Sequence, residues 1–296
     1  MKVNVPPGKY ILAVSGGVDS VVLLDLLSNL PGVGLVVAHF NHGIRPDSGE
    51  DERLVAAAAR KYGLPFETGY GRLGAGASED AARQARYEFL NEVKTRHGAQ
   101  AVITAHHQDD LIETALINLL RGTGRRGLTA IADNKDVLRP LLNHSKKEIL
   151  NYAKKNKLRW REDPTNDSLD YLRNYVRYNL VPKMTAAQRQ DLLATLDKAL
   201  KSGQQMDSEI SELSPKILDN QVINRGKFSS LPVELGNELL MYWLRCEGLM
   251  DFDKKTINRL NVALRAAKSQ SVHPVRHDLV LKVNRQTAGF ERRPLR

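Results

Sequence analysis

The sequence predicts an α/β protein: a parallel sheet with helices on both faces, followed by a smaller, mainly helical and basic C-terminal region. Three observations carry that expectation. Short apolar or β-prone runs alternate with helical patterns through the first half of the chain. Those runs are too apolar for a sheet with one wet face, as strands covered on both sides are. After Leu142 the pattern changes to helices rich in Lys and Arg.

Taken in order, the expected strands of the first part are Tyr10 to Val14, Leu35 to Phe40, Pro65 to Tyr70 and Ala101 to Ala105. Between them, Val18 to Ser28 is apolar nearly all round, as a buried crossover helix is. The helix over Ser48 to Tyr62 opens with Ser48 three residues before Asp51, a capping-box pattern. The one over Ser78 to Arg96 follows another cap serine, with Glu79 and Asp80 in its first turn. Ligands of such sheets sit beyond the carboxyl ends of the strands. "LRPLL" (Leu138 to Leu142) closes the alternation. Helices then cover Ser145 to Asn156 and Tyr171 to Leu180, the latter ended by Pro182. A longer helix runs from Ala186 to about Leu213, with "SGQQ" as a break or fray inside it. Leu235 to Cys246 and Thr256 to Lys268 are further helices, and Asp278 to Val283 reads as a strand. The boundary falls near Pro182 to Thr185, giving domains 1–184 and 185–296.

The 296 residues, 42% of them hydrophobic, suit two modest soluble domains. No apolar run approaches the roughly 20 residues of a membrane span. "MKVNVPPGKY" lacks the apolar core of a secretory signal. The expectation is a cytoplasmic protein with no membrane partner. Cys246 is the only cysteine, which excludes a disulfide framework, a cysteine zinc cluster and a Cys-x-x-Cys redox pair. The net charge is +10, and Lys254 to Arg296 holds eleven basic residues against two acidic ones. A basic block of that kind attracts polyanions, RNA above all; the alternative is a solvated basic face with no partner.

The most informative stretch is "AVSGGVDS" (Ala13 to Ser20), where the first strand gives way to the first helix. Two successive glycines bring backbone N–H groups close to an anion, and the helix start adds its partial positive charge. Nucleotide loops that read G-x-x-x-x-G-K-[ST] carry a lysine here. This chain instead has Asp19, with hydroxyls at Ser15 and Ser20. An acid beside phosphates makes sense with magnesium between them. After the fourth strand, "HHQDDLIET" gathers His106, His107, Asp109, Asp110 and Glu113 at the carboxyl end of the sheet. Such a set suits magnesium binding and proton transfer. Asp110 with Glu113 also fits a capping box, and zinc is disfavoured because adjacent histidines point apart. Arg83 and Arg86 share a helix face. "RGTGRRGL" (Arg121 to Leu128) is either a glycine-capped end with solvated arginines or a basic loop for RNA phosphate or pyrophosphate. Asp163-Pro164 reads first as a turn, and Trp160, Arg173, Asn174 and Arg177 flank it as structural or RNA-contacting residues.

At these residues the chain resembles the PP-loop ATP pyrophosphatase superfamily, and its motifs are similar to those of the tRNA(Ile)-lysidine synthase family. "SGGVDS", "AHFNHGIRPDSGEDE" (Ala38 to Glu52), "ARQARYEFL" (Ala82 to Leu90), "TAHHQDDLIETALINLLRGTGRRGL" (Thr104 to Leu128), "LRPLL" and "REDPTNDSLDYLRNYVR" (Arg161 to Arg177) carry the resemblance, over about residues 10–182. It implies a Rossmann-like PP-loop domain and a ligase that converts the wobble cytidine of the CAU-anticodon isoleucine tRNA to lysidine. ATP joins AMP to the cytosine 2-carbonyl oxygen with loss of pyrophosphate; the ε-amine of L-lysine then displaces AMP, changing decoding from Met to Ile. It further implies that Ser15, Gly16, Gly17, Val18, Asp19, Ser20, His39, His106 and Arg121 hold ATP. Magnesium falls to Asp19, Asp109 and Asp110. Asp19, Asp109, Asp110, Glu113 and Arg86 serve the chemistry. The attacking amine has a reference pKa near 10.4, so a base or burial must neutralise it; Asp109, Asp110 and Glu113 are the candidates. A homodimer is left open. "HPVRHDLVLKV" matches the family only loosely. The rivals are a PP-loop thiolase, disfavoured by the solitary Cys246, and a non-catalytic nucleotide-binding RNA module, disfavoured by the intact Asp19, Asp109 and Asp110.

Overall fold

The computed structural model describes residues 1–43, 48–71, 79–132, 137–161, 171–249 and 252–292. The expected cap at Ser78, the Asp163-Pro164 turn and part of the "HGIRPDS" motif lie outside them. The chain forms two compact units, Met1–Leu200 and Lys201–Arg296.

Alternating apolar runs and helices produce the expected parallel sheet in the first unit. Its strands are β1 (Gly8–Ala13), β2 (Val33–Asn41), β3 (Phe66–Tyr70), β4 (Ala101–Ile103) and β5 (Val137–Leu138). They lie in the order β3-β2-β1-β4-β5, every pair parallel. Tyr10 stands opposite Leu35 on one side and Ala101 on the other. Successive residues of β1 feed two separate cores, which explains why the run is apolar throughout. Tyr10 and Leu12 pack with α1 (Val18–Ser28) and α6 (Lys146–Lys155), whereas Ile11 packs with Leu90 and Val93 of α3 (Glu79–Arg96). Helix α1 buries Val18, Val21, Val22, Leu23, Leu24 and Leu27, as a crossover helix under a sheet does. Helices α2 (Ser48–Lys61), α4 (Gln108–Leu120) and the short α5 (Arg125–Leu128) complete the alternation. The strand order reverses between β1 and β4, and at such a point the connections diverge and leave a crevice at the carboxyl edge.

Beyond α6, α7 (Tyr171–Tyr175) continues through a π-helical turn (Val176–Leu180) and a 3₁₀ turn (Val181–Lys183). Helix α8 (Ala186–Ile217) is unbroken across "SGQQ". A single helical glycine costs only about 1 kcal/mol, and good helix formers flank this one. The division between the units falls within α8.

The second unit adds a sheet that the sequence showed only at Asp278 to Val283. Strands β6 (Leu218–Asp219), β7 (Val222–Asn224), β8 (Ser271–Arg276), β9 (Leu279–Val283) and β10 (Thr287–Arg292) form an antiparallel sheet in the order β6-β7-β10-β9-β8. Helices α9 (Arg225–Ser229), α10 (Val233–Cys246) and α11 (Lys254–Ala266) accompany it. Trp243, Leu244, Leu260, Leu264 and Leu281 form the centre of its core. Arg265, one of the basic residues of the C-terminal block, is a structural tie: it donates to Asn261 Oδ1 and to the carbonyls of Ser229 and Leu231. Among the described residues no helix is long and apolar enough to cross a membrane.

Candidate active site

The glycine pair sits where β1 turns into α1. Gly16 has φ +97°, a conformation that side chains with a Cβ rarely adopt. Ser20, one turn into the helix, organises the loop. Its Oγ accepts from the N–H groups of Ser15 (3.2 Å) and Gly16 (3.3 Å) and donates to the Gly17 carbonyl (2.9 Å). Ser15 Oγ accepts from Gly17 N–H at 3.3 Å. The hydroxyls thus hold the turn closed against the start of α1, the end of a helix that favours an anion. Arg161 straps the loop down: its N–H donates to the Gly16 carbonyl (3.1 Å) and its Nε lies 3.0 Å from Asp51 of α2.

A cleft of about 310 Å³ opens beside this loop, lined among others by Ser15, Asp19, Ser20, His39, Arg86, His106 and Asp110. Residues from β1, β2, α3 and the β4–α4 junction are thus brought together at the carboxyl edge. Cavities of this size hold small ligands. His39 is 3% exposed. Its Nδ1 lies 2.8 Å from the Val14 carbonyl, which can only accept, so Nδ1 carries the proton. In the neutral ring Nε2 is an acceptor, and among the described residues it is buried with no partner. A buried polar atom left unpaired at a cleft wall points to a ligand donor.

His106 follows β4, its Nδ1 2.8 Å from Thr104 Oγ1. Burial first, then the charges of Arg139, Arg86 and Arg83, push its pKa down to about 3. The ring is neutral at physiological pH, a hydrogen-bonding wall element and not a proton carrier. Arg83 and Arg86 lie over the Tyr87 ring, 5.3 and 5.5 Å from its centroid. Arg139, just beyond β5, has a buried Nε that finds no partner among the described residues.

Helix α4 begins with a reciprocal capping box, but the pair is His107 and Asp110, where the sequence suggested Asp110 and Glu113. His107 Nδ1 accepts from Asp109 N–H (3.2 Å), and Asp110 Oδ2 accepts from His107 N–H (2.9 Å). The histidine wins because its ring nitrogen reaches the free amides, while Glu113 has turned inward. Glu113, 4% exposed, takes a bidentate pair from Arg177 at 2.9 and 2.8 Å. Asp109 pairs with Arg189 of α8. Asp19 receives both its hydrogen bonds from Lys146, at 2.6 and 2.7 Å, with His107 Nε2 3.8 Å away. Of the four carboxylates, Asp19 and Asp110 face the cleft. Among the described residues no three His, Cys, Asp or Glu side chains converge on one metal position. Asp19 and Asp110 nevertheless fit magnesium, which is commonly held by one or two carboxylates and completed by substrate phosphate.

Arg121 stands apart. It is the exposed C-cap of α4, at the other end of a 13-residue helix from Asp109, about 20 Å away by helical rise. Lys146, Arg139 and Arg189 were not singled out in the sequence. Lys146 alone had a local signal, since "SKKE" places it directly after a cap serine.

A family model described as the PP-loop domain matches residues 2–184. The chain is similar to tRNA(Ile)-lysidine synthase of Geobacter sulfurreducens, 42% identical over 60% of this chain and 40% of that one. The protein of that name from Thermus thermophilus is 42% identical over 60% of this chain and 36% of its own. That of Burkholderia mallei is 31% identical over 90% of this chain and 58% of its own. The chain thus spans between about a third and three fifths of these relatives' lengths. Among solved structures, the U34-tRNA thiolase NcsA from Methanococcus maripaludis superposes with a TM-score of 0.55 at 18% identity, over 67% of this chain and 74% of that one. That likeness extends to the fold.

Proposed function

The chain belongs to the PP-loop domain family, and on that premise we propose that it is a tRNA(Ile)-lysidine synthase: a ligase that uses ATP and L-lysine to modify the wobble cytidine of the CAU-anticodon isoleucine tRNA. The observation that carries this reading is the cleft in which a phosphate-shaped loop, the carboxylates of Asp19, Asp51 and Asp110, His39 Nε2 and Arg86 meet. The similarity to the curated synthases supplies the nucleophile and the tRNA. Such a reaction belongs to the cytosol, where tRNA is matured.

In the first step the loop amides and α1 hold the phosphates, and His39 Nε2 accepts from the nucleoside. The cytosine oxygen attacks the α-phosphorus as pyrophosphate leaves. Arg86, at the cleft wall, opposes the charge that builds there. Magnesium, when bound by Asp19 with the phosphates, would supply electrophilic stabilisation of that charge, which leaves Asp110 for the second step. In the second step the lysine nitrogen attacks C2, AMP departs with the oxygen, and one proton must leave the amine. Asp110 is the carboxylate placed to take it, because Arg189 and Arg177 engage Asp109 and Glu113. His106, held neutral, hydrogen-bonds without competing for the proton. The cytosine must be unstacked to enter the cleft, as in other enzymes that act on a base.

The second unit is assigned to tRNA phosphate binding. Of its basic residues, Arg276 and Arg292 approach Asp278, and Lys282 approaches Glu291. Lys254, Lys255 and Arg259, grouped on α11, are the set we assign to RNA. Arg121, remote from the nucleotide loop, belongs with the RNA-contacting residues in this reading.

The test is transfer of labelled lysine to an in-vitro transcribed isoleucine tRNA with a CAU anticodon, with ATP and magnesium, against the methionine tRNA sharing that anticodon. Label on the isoleucine tRNA alone is expected. ATP consumption without lysine transfer would point to another nucleophile and overturn the reading.

A further inference from the structure

The nucleotide loop lacks the lysine that such loops ordinarily carry, and an acid stands near its helix start. The fold brings a cation from elsewhere. Lys146 is the first residue of α6, and its backbone is fixed by a reciprocal capping box between Ser145 and Glu148. Its ammonium donates to both oxygens of Asp19, at 2.6 and 2.7 Å. The two side chains are 37% and 28% exposed, so the pair is not in a sealed core, and its Asp19 member lines the cleft. An ammonium has three N–H donors, of which Asp19 engages two. Among the described residues the third has no partner, and the Asp19 carboxylate that holds the ammonium lines the cleft beside Ser15 and Ser20. Asp19 by itself would repel a polyphosphate; with Lys146 against it, the same corner is neutral and still donates.

Resting on the ATP reading, we propose that Lys146 is a phosphate-binding residue that bridges the Asp19 carboxylate to an oxygen of the β- or γ-phosphate of ATP. It thereby does from α6 what a loop lysine does in G-x-x-x-x-G-K-[ST] sites. The role is a direct substrate contact, distinct from simply tying α6 to α1. A tie would treat every ligand of the cleft alike, whereas a β/γ-phosphate contact distinguishes ATP from AMP.

The experiment measures dissociation constants of ATP and of AMP by calorimetry, with EDTA and again with magnesium, for the full chain and its Lys146→Met and Lys146→Arg variants. Thermal midpoints are recorded alongside. Loss of one charge-assisted hydrogen bond should weaken ATP binding by roughly ten- to a hundredfold in Lys146→Met. AMP binding should be unchanged, and Lys146→Arg should recover most of the loss. The ATP effect should persist in EDTA, because the contact does not pass through a metal. Equal losses for ATP and AMP, or unchanged ATP binding, would overturn the assignment, whatever the thermal midpoint does. If the unaltered chain binds no ATP, the nucleotide reading itself falls; if it binds ATP as tightly as Lys146→Met does, only the role of Lys146 falls.

Discussion

Lowering the pH from 7 to 5 should expose the cost of keeping His106 neutral. Its pKa in the folded protein is pushed down to about 3 by burial and by Arg139, Arg86 and Arg83, against an ordinary value of 6.5. As the pH falls, the unfolded chain binds a proton first, so stability is complete above 6.5 and declines as the pH drops from there toward 3. Between pH 7 and pH 5 the loss from this one group is about 2 kcal/mol, and at pH 4 about 3 kcal/mol. Other groups titrate too, so the comparison is with His106→Asn, which has no proton to gain and can still hydrogen-bond Thr104 Oγ1. Trp160 lies in the first unit and Trp243 in the second. In a Trp243→Phe background, Trp160 fluorescence therefore follows urea unfolding of the first unit alone. The expected result is a larger pH-dependent shift of the urea midpoint in the His106 protein than in the Asn variant. A ring resonance of His106 titrating near pH 6.5, or equal shifts in both proteins, would refute the reasoning and return His106 to the list of candidate proton carriers.

Asp19→Ala should abolish tRNA-dependent pyrophosphate release while leaving tRNA affinity nearly unchanged; release at the normal rate would remove Asp19 from the phosphate site. Arg177→Ala leaves the buried Glu113 carboxylate unpaired and should destabilise the first unit by about 3 kcal/mol, the lower end for a broken buried pair because Arg177 is partly exposed. Glu113→Gln, which keeps an acceptor, should cost less by urea titration, and the reverse order would contradict the pairing. Alanine at Lys254, Lys255 and Arg259 together should weaken tRNA binding and lower the slope of log K against log salt by roughly two to three, since each phosphate contact on a nucleic acid releases close to one counterion. An unchanged slope would remove α11 from the RNA surface. Deleting residues 254–296 would unfold the second unit rather than isolate its charge. That segment carries Leu260, Leu264, Leu281 and Val283, so its loss dismantles the core of the second unit.

The first unit was legible because burial on both faces makes its strands apolar without interruption, and because α1 is apolar all round. The phosphate loop was legible for a different reason: only glycine tolerates φ +97° at position 16, so the backbone geometry is written into residue identity. The second sheet was not legible. β8 alternates half-buried and exposed positions around Pro274, and β6 has two residues, so neither presents an apolar run. In the site, "HHQDD" marked the right corner but not the partners of its acids. Arg189 lies 80 residues from Asp109 and Arg177 lies 64 from Glu113. Pairings of that span leave no periodic trace. The basic C-terminal block was visible as charge, yet composition cannot tell Arg265, spent on carbonyls, from Lys254 and Arg259 on the face of α11.

The partners explain how so acidic a corner can receive a polyanion. Three of the four acids of the site are paired with a basic side chain from a later part of the chain: Asp19 with Lys146, Asp109 with Arg189, Glu113 with Arg177. The exception is Asp110, engaged chiefly by the amide of its own helix cap, with Arg177 at 3.9 Å. Of these four acids, it and Asp19 line the cleft, together with Asp51 of α2. Pairing with a cation occupies a carboxylate's oxygens, whereas a single cap hydrogen bond to one oxygen leaves the other open to a ligand. The division of labour among chemically equivalent acids therefore follows from which of them the later helices reach. Asp109 and Glu113 hold α8 and the Val176–Leu180 turn against α4, Asp19 holds a lysine at the nucleotide loop, and Asp110 is the acid our proposal assigns to the incoming amine.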